Sequence, residues 1–166
     1  MNEIDEGDDE SFALPPMVGK IGEGNIEWVS LEAIDFELLG YFLSCHLIIE
    51  HYLDSFLKSF YPNLKWKKAK LSFAQKIDLL TTMWVSDDKH DSIPALKHMN
   101  SLRNKISHRV NFSLSMDDLQ PMVYFLNGIS ERALHLPTPL RILRVFTTMV
   151  CVSFAGNISR RARGVP

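Results

Sequence analysis

The sequence predicts an all-α fold, a bundle of about five helices behind a non-helical N-terminal extension. Three observations carry that prediction. Apolar residues recur at i, i+3 and i+4 through most of the chain after residue 30. Serine, threonine and proline stand where those apolar runs begin, as helix caps and first-turn residues do. No segment alternates apolar and polar residues between hairpin turns. At 166 residues, 46% hydrophobic and 23% charged, the chain has the make-up of a soluble globule with one proper core.

Residues 1–29 read as an acidic, flexible leader. Glu3, Asp5, Glu6, Asp8, Asp9 and Glu10 open it, and Pro15-Pro16 with Gly19, Gly22 and Gly24 discourage regular structure. Such an arm can fold over a basic cleft and compete with an anionic ligand. Ser30 then reads as the cap of a long first helix from Leu31 to Phe60, closed by Pro62. Leu31, Ile34, Leu38, Phe42, Cys45, Ile49, Tyr52 and Phe56 form its buried stripe. Lys65, Lys67, Lys68 and Lys70 surround Trp66 in the following loop, where cations can grip a phosphate backbone and the indole can stack a base. A solvated loop with one anchored tryptophan is the plainer alternative.

A second helix is expected from Ser72 to Trp84, with Phe73, Ile77, Leu80 and Trp84 on one side and Ser86-Asp87-Asp88 as its stop. The third runs from Ser92 to Val110 with Pro94 in its first turn. Ser115 and Asp118 resemble a capping box for a fourth helix reaching Leu136, with Pro121 near its start. Thr138 and Pro139 start a fifth that ends near Asn157, and residues 159–166 form a basic tail with Arg160, Arg161 and Arg163. The domain is thus bounded at 30–158.

Several function classes are excluded by what the chain lacks. Net charge is −2, so bulk electrostatics neither recruits nor repels nucleic acid. Two cysteines, Cys45 and Cys151, are too few for a disulfide framework or a cysteine-rich zinc site, and a reducing cytoplasm suits them. The apolar run Val145 to Ala155 falls short of the roughly 20 residues of a membrane span, so no membrane association is expected. His46 and Glu50, at i and i+4, make only half a metal site. His51, His90, His98 and His135 show no grouping and read as structural or surface residues. No glycine-rich phosphate loop or serine elbow is present.

The stretch with chemistry is Arg103-Asn104-Lys105-Ile106-Ser107-His108. Spaced at 100° per residue, Ala95, Met99, Leu102, Ile106 and Val110 form the core-facing stripe of the third helix, with Arg103 on its shoulder. Asn104 and His108, one turn apart, project from nearly the opposite side, toward solvent or a partner.

Taken with its surroundings, this stretch resembles a known family. A long first helix ending in aromatics, then Ala69-Lys70-Leu71-Ser72-Phe73-Ala74-Gln75-Lys76-Ile77-Asp78-Leu79-Leu80, then Leu102-Arg103-Asn104-Lys105-Ile106-Ser107-His108 on a later helix, is similar to the HEPN superfamily over roughly residues 30–158. The resemblance implies a helical bundle that dimerises. It also implies a metal-independent endoribonuclease without cofactor, with Arg103, Asn104 and His108 as catalytic residues. Lys65, Trp66, Lys67, Lys68, Lys105 and Arg109 are then the candidate RNA-binding residues. A homodimer with a composite site, an RNA substrate, and an antitoxin or other regulatory protein are the implied partners, in stress response, phage defence or a toxin system. Members paired with nucleotidyltransferase antitoxins carry a tyrosine two positions after the motif histidine. Here Val110 stands there, so that form of control is not inferred. Two alternatives remain open: a catalytically silent HEPN-like bundle that binds RNA, nucleotide or protein, and a helical interaction domain in which the motif is accidental.

Overall fold

The computed structural model describes residues 15–31, 34–83, 90–109, 112–130 and 134–164. Residues 1–14 of the acidic leader, Trp84, the Ser86-Asp87-Asp88 stop and Val110 lie outside them. The chain is mostly helical and divides into two units between Ile34 and Asp35.

The first unit holds a correction to the sequence reading. The leader was expected to lack regular structure, yet it contains an antiparallel hairpin of β1 (Met17–Gly22) and β2 (Asn25–Val29). Gly24 turns the chain at φ +79°, a value glycine adopts without a steric penalty. Lys20 stands opposite Glu27, a favourable cross-strand charge pair, and Ile21 stands opposite Ile26. The register slips between Val18 and Lys20. At that bulge a Cβ on Gly19 would come within 2.8 Å of Val29 Cγ2, so glycine is the residue that lets the strands approach.

The second unit is the helical bundle. Among the described residues it comprises α1 (Phe36–Phe60), α2 (Trp66–Ala69), α3 (Phe73–Thr81), α4 (Ile93–His108), a 3-10 turn at Asp117–Leu119, α5 (Gln120–Ile129) and α6 (Pro139–Ala162). Helix α1 starts later than Ser30 predicts, because Asp35 is the cap: its Oδ1 accepts from Leu38 N at 2.8 Å. Leu31 therefore precedes the helix. Leu38, Phe42, Cys45, Ile49, Leu53, Phe56 and Leu57 are buried along α1, and Tyr52 is half-buried. Ser72 caps α3 in a closed capping box with Gln75.

Three further boundaries differ from expectation. The lysine cluster, expected to be a loop, folds into the single turn of α2, with Lys70 left-handed at φ +44°. The fourth expected helix ends at Ile129 rather than Leu136. Its Ser115–Asp118 box does form, with Asp118 Oδ2 accepting from Ser115 N at 2.9 Å and from its hydroxyl at 2.7 Å. Helix α6 continues five residues past Asn157, to Ala162, so the first arginines of the basic tail belong to the bundle. The Arg161 side chain explains the extension: its Nε donates to Ser59 O at 2.6 Å and its guanidinium lies 4.4 Å from the Phe60 ring centre. It satisfies a carbonyl at the end of α1 that no helical amide can reach. At this length α6 is long and apolar enough to cross a membrane by those two measures alone. In the bundle it packs on α1 and buries Ile142, Leu143, Phe146, Val150 and Phe154.

The core of α1 sets the stability of this unit. Leu53→Ala, at a side chain with no exposed surface, is expected to lower unfolding free energy by about 2–5 kcal/mol. Leu47→Ala, at a residue 64% exposed on the same helix, is expected to change it by less than about 0.5 kcal/mol. Urea denaturation of the two variants, read by circular dichroism, checks the contrast. Equal losses would contradict the described face of α1.

Candidate functional site

Helix α4 presents the site because its other face is fully used. Pro94 sits in the first turn, where its missing N–H is not needed, and Ala95, Leu96, Met99 and Leu102 are buried. That leaves Arg103, Asn104, Lys105, Ser107 and His108 exposed over the last turns, with Arg109 exposed at the cap. Arg103 Nη1 donates to Asn104 Oδ1 at 3.4 Å, a long and weak bond, and Arg103 takes part in no ion pair among the described residues. The Asn104 amide oxygen is thus turned toward Arg103.

Arg103 and Asn104 stand at a polar cleft of about 360 Å³ between three helices. Helix α1 contributes His46 and Glu50, the start of α3 contributes Ser72, Phe73 and Ala74, and α4 contributes Asn100, Arg103 and Asn104. His108 is not among the lining residues. Within one chain, the sequence motif is therefore split: two members line the cleft and the third lies on the open surface one turn on.

His46 is only 4% exposed, and its ring centre is 4.3 Å from that of Phe73. Its Nε2 has no hydrogen-bond partner, an arrangement that costs about 1–3 kcal/mol for a buried polar atom. Burial pushes the His46 pKa down. Arg103 and Lys76 push the same way, against Glu50 and the neighbouring Asn100 amide. Beside it, Lys76 lies between two carboxylates, 2.6 Å from Glu50 Oε1 and 2.9 Å from Asp54 Oδ1. Burial alone would lower the Lys76 pKa, but its bonds to Asp54 and Glu50 outweigh that and the net shift is upward. Sequence reasoning treated His46 and Glu50 as half a metal site and missed this arrangement. The available signal was Lys76, a cation beside Ile77 in the apolar stripe of α3, facing an i, i+4 acidic pair on α1.

The other candidates are more ordinary. Trp66 is half-buried against the core and its indole N–H donates to Tyr61 O at 3.1 Å, while Lys65, Lys67 and Lys68 are exposed around it. His98 bonds through Nε2 to the Asp118 carbonyl at 2.7 Å, a structural tie between α4 and the turn before α5. Asp118 is itself partly desolvated. The Ser115 bonds outweigh that, and with Lys105 and His98 nearby its pKa falls below the usual carboxylate value. Cys45 and Cys151 line a second, largely apolar cleft of about 410 Å³ between α1 and α6. Burial raises both thiols, Cys151 to about 11, so neither is a thiolate nucleophile at neutral pH.

The His46 shift has a sign that can be measured. Because the folded state holds this histidine's pKa below its ordinary value, the unfolded chain binds more protons once pH falls through about 6.5. Stability is expected to fall as pH drops from 7 toward 5, and His46→Gln is expected to flatten that part of the profile. Thermal unfolding at half-unit pH steps checks this. A wild-type slope unchanged in the variant would remove His46 as its source.

The chain matches no protein-family model, and no curated protein or solved structure shows significant similarity to it.

Proposed function

We propose that the chain is a metal-independent, HEPN-type endoribonuclease that works in the cytoplasm in stress response, phage defence or a toxin system. The observation that carries this reading is the grouping of Arg103, Asn104 and His108 as exposed side chains at one end of α4, with Arg103 beside a polar cleft. The side chains suit the chemistry. A histidine accepts the proton of a ribose 2′-hydroxyl, whose oxygen attacks the neighbouring phosphorus. A protonated histidine then donates to the departing 5′-oxygen. The products are a 2′,3′-cyclic phosphate and a 5′-hydroxyl. The arginine fork matches the phosphate oxygens and stabilises the charge that builds up on them.

One chain supplies one His108, and a single imidazole does not perform both transfers in one step. A two-fold dimer resolves this by setting a second Arg103/Asn104/His108 group across the interface. Lys65, Lys67, Lys68, Lys105 and Arg109, all exposed, are the residues to track the RNA backbone outside the site. A regulatory partner, an antitoxin among the options, belongs to the same reading. One observation favours a second reading, a catalytically silent bundle that binds RNA, a nucleotide or a protein: Arg103 and Asn104 line a cleft that His108 does not.

Incubating purified protein with RNA in excess EDTA separates the two. The expected result is cleavage that resists EDTA and drops by about 100-fold or more in His108→Ala, as for loss of a general acid or base. Light scattering at micromolar concentration is expected to give a dimer. RNA retained on a filter but left intact by both proteins would instead establish the silent binder.

A further inference from the structure

We infer that the cleft between α1, α3 and α4 is a binding site for a phosphate-class oxyanion, either free phosphate or the phosphate monoester of a small hydroxylated molecule. Its donors converge from two elements. The capping box of α3 uses the amides of Ser72 and Gln75, and helix geometry leaves those of Phe73 and Ala74 without an intrahelical acceptor. Both residues line the cleft, at the positive end of the α3 dipole. Arg103 lines it from α4 and, among the described residues, is held by the long 3.4 Å bond to Asn104, so its fork can turn toward a ligand.

His46 supplies an independent reason to expect an occupant. It lines the cleft, is 4% exposed, and keeps an Nε2 without a partner, where buried ring nitrogens are normally matched. That nitrogen is closed to solvent, so a small turn of the ring toward the cleft lets a ligand hydroxyl, or a water carried with it, provide the match.

The charge around the cleft narrows the ligand further. Glu50 shares the lining and offsets the charge of Arg103, while Lys76 holds Glu50 at 2.6 Å and shares Asp54 with Lys58. The cleft therefore attracts through aimed donors rather than through an excess of positive charge. Directed donors in a small space select a compact anion, whereas a polyanion needs a basic track. At about 360 Å³ the cleft falls within the roughly 300–1,000 Å³ of small-molecule pockets. The Asn100 and Asn104 amides and the outer Glu50 oxygen suit the hydroxyls of a sugar.

The inference shares Arg103 and Asn104 with the proposed ribonuclease site but does not depend on RNA cleavage. The test is a nuclear magnetic resonance titration of the labelled full chain with inorganic phosphate, ribose 5-phosphate, adenosine 5′-monophosphate and adenosine, at fixed ionic strength against chloride. Saturable shifts are expected at the Phe73 and Ala74 amides and the His46 ring. Arg103→Gln, an exposed position whose spectrum reports retained folding, is expected to weaken binding about tenfold or more. Tighter binding of ribose 5-phosphate than of phosphate identifies a monoester, and equal binding identifies free phosphate. The inference is overturned by no saturable shift, by shifts confined to Lys65–Lys70, by an Arg103→Gln variant that binds as wild type, or by adenosine binding as tightly as its phosphate. Failure here with EDTA-resistant cleavage intact leaves the ribonuclease reading standing, and binding without cleavage does the reverse.

Discussion

Helix α1 is apolar on more than one side, and the bundle is built around the need to cover it. Phe42, Ile49, Leu53, Phe56 and Leu57 bury almost completely, and the helix packs on α3, α4 and α6. The contact with α6 includes the rings of Phe56 and Phe154, 5.2 Å apart, and it closes at the end of α1 through the Arg161 bond to Ser59 O. Aromatic pairs of this kind add about 0.5–1.5 kcal/mol to the area they bury. Covering α1 on several sides also encloses part of its polar arc, and His46, Glu50 and Asp54 lie on that arc. Lys76 is the response: a cation from α3 that bridges two carboxylates, one of which, Asp54, also pairs with Lys58.

The same constraint produces the cleft. Helices α3 and α4 both pack on α1 and on each other, and near the start of α3 their polar residues meet instead of apolar ones. Filling that space with a leucine in place of His46 would satisfy packing alone, and the chain instead keeps a buried ring nitrogen unmatched. A folded domain stable by about 5–15 kcal/mol can carry one such defect, but only a few. Unmatched polar atoms of this kind concentrate where something else is bound.

Much of the bundle is legible in the sequence because its signals are local. The stripe Leu38, Phe42, Cys45, Ile49 and Phe56 follows from helical period, and the Ser72, Ser115 and Thr138 caps follow from side-chain oxygens placed three residues before amides that need them. The hairpin was missed for a physical reason. Its residues from Met17 to Trp28 are exposed on both faces, so no burial imposes alternation, and its glycines read as disorder although Gly19 and Gly24 are what the bulge and the turn require. Asp35 rather than Ser30 caps α1, because its carboxylate is the one that accepts from an amide of the first turn, Leu38 N. At the site, the exposure of Asn104 and His108 was legible from the angle each makes with the buried stripe, whereas Arg103, on the shoulder of that stripe, is exposed as well. The cleft was not, because it depends on the tertiary meeting of His46, Ser72 and Asn100, separated by 26 and 28 positions in the chain.

Arg103 ties the cleft to the open surface of α4. Among the described residues that line the cleft it is the one arginine or lysine, and it lies five residues before His108 on α4. A guanidinium offers its fork to one phosphate group at a time when both oxygens are engaged bidentately. Under the two proposals, a phosphate seated against the α3 amides and a scissile phosphate at His108 would therefore draw on the same donor. On those proposals the two functions would be coupled through that side chain rather than through a shape change, since Leu96, Met99 and Leu102 bury the opposite face of α4. Lysine in place of Arg103 would keep the charge but lose the fork, so the coupling rests on guanidinium geometry and not on charge alone.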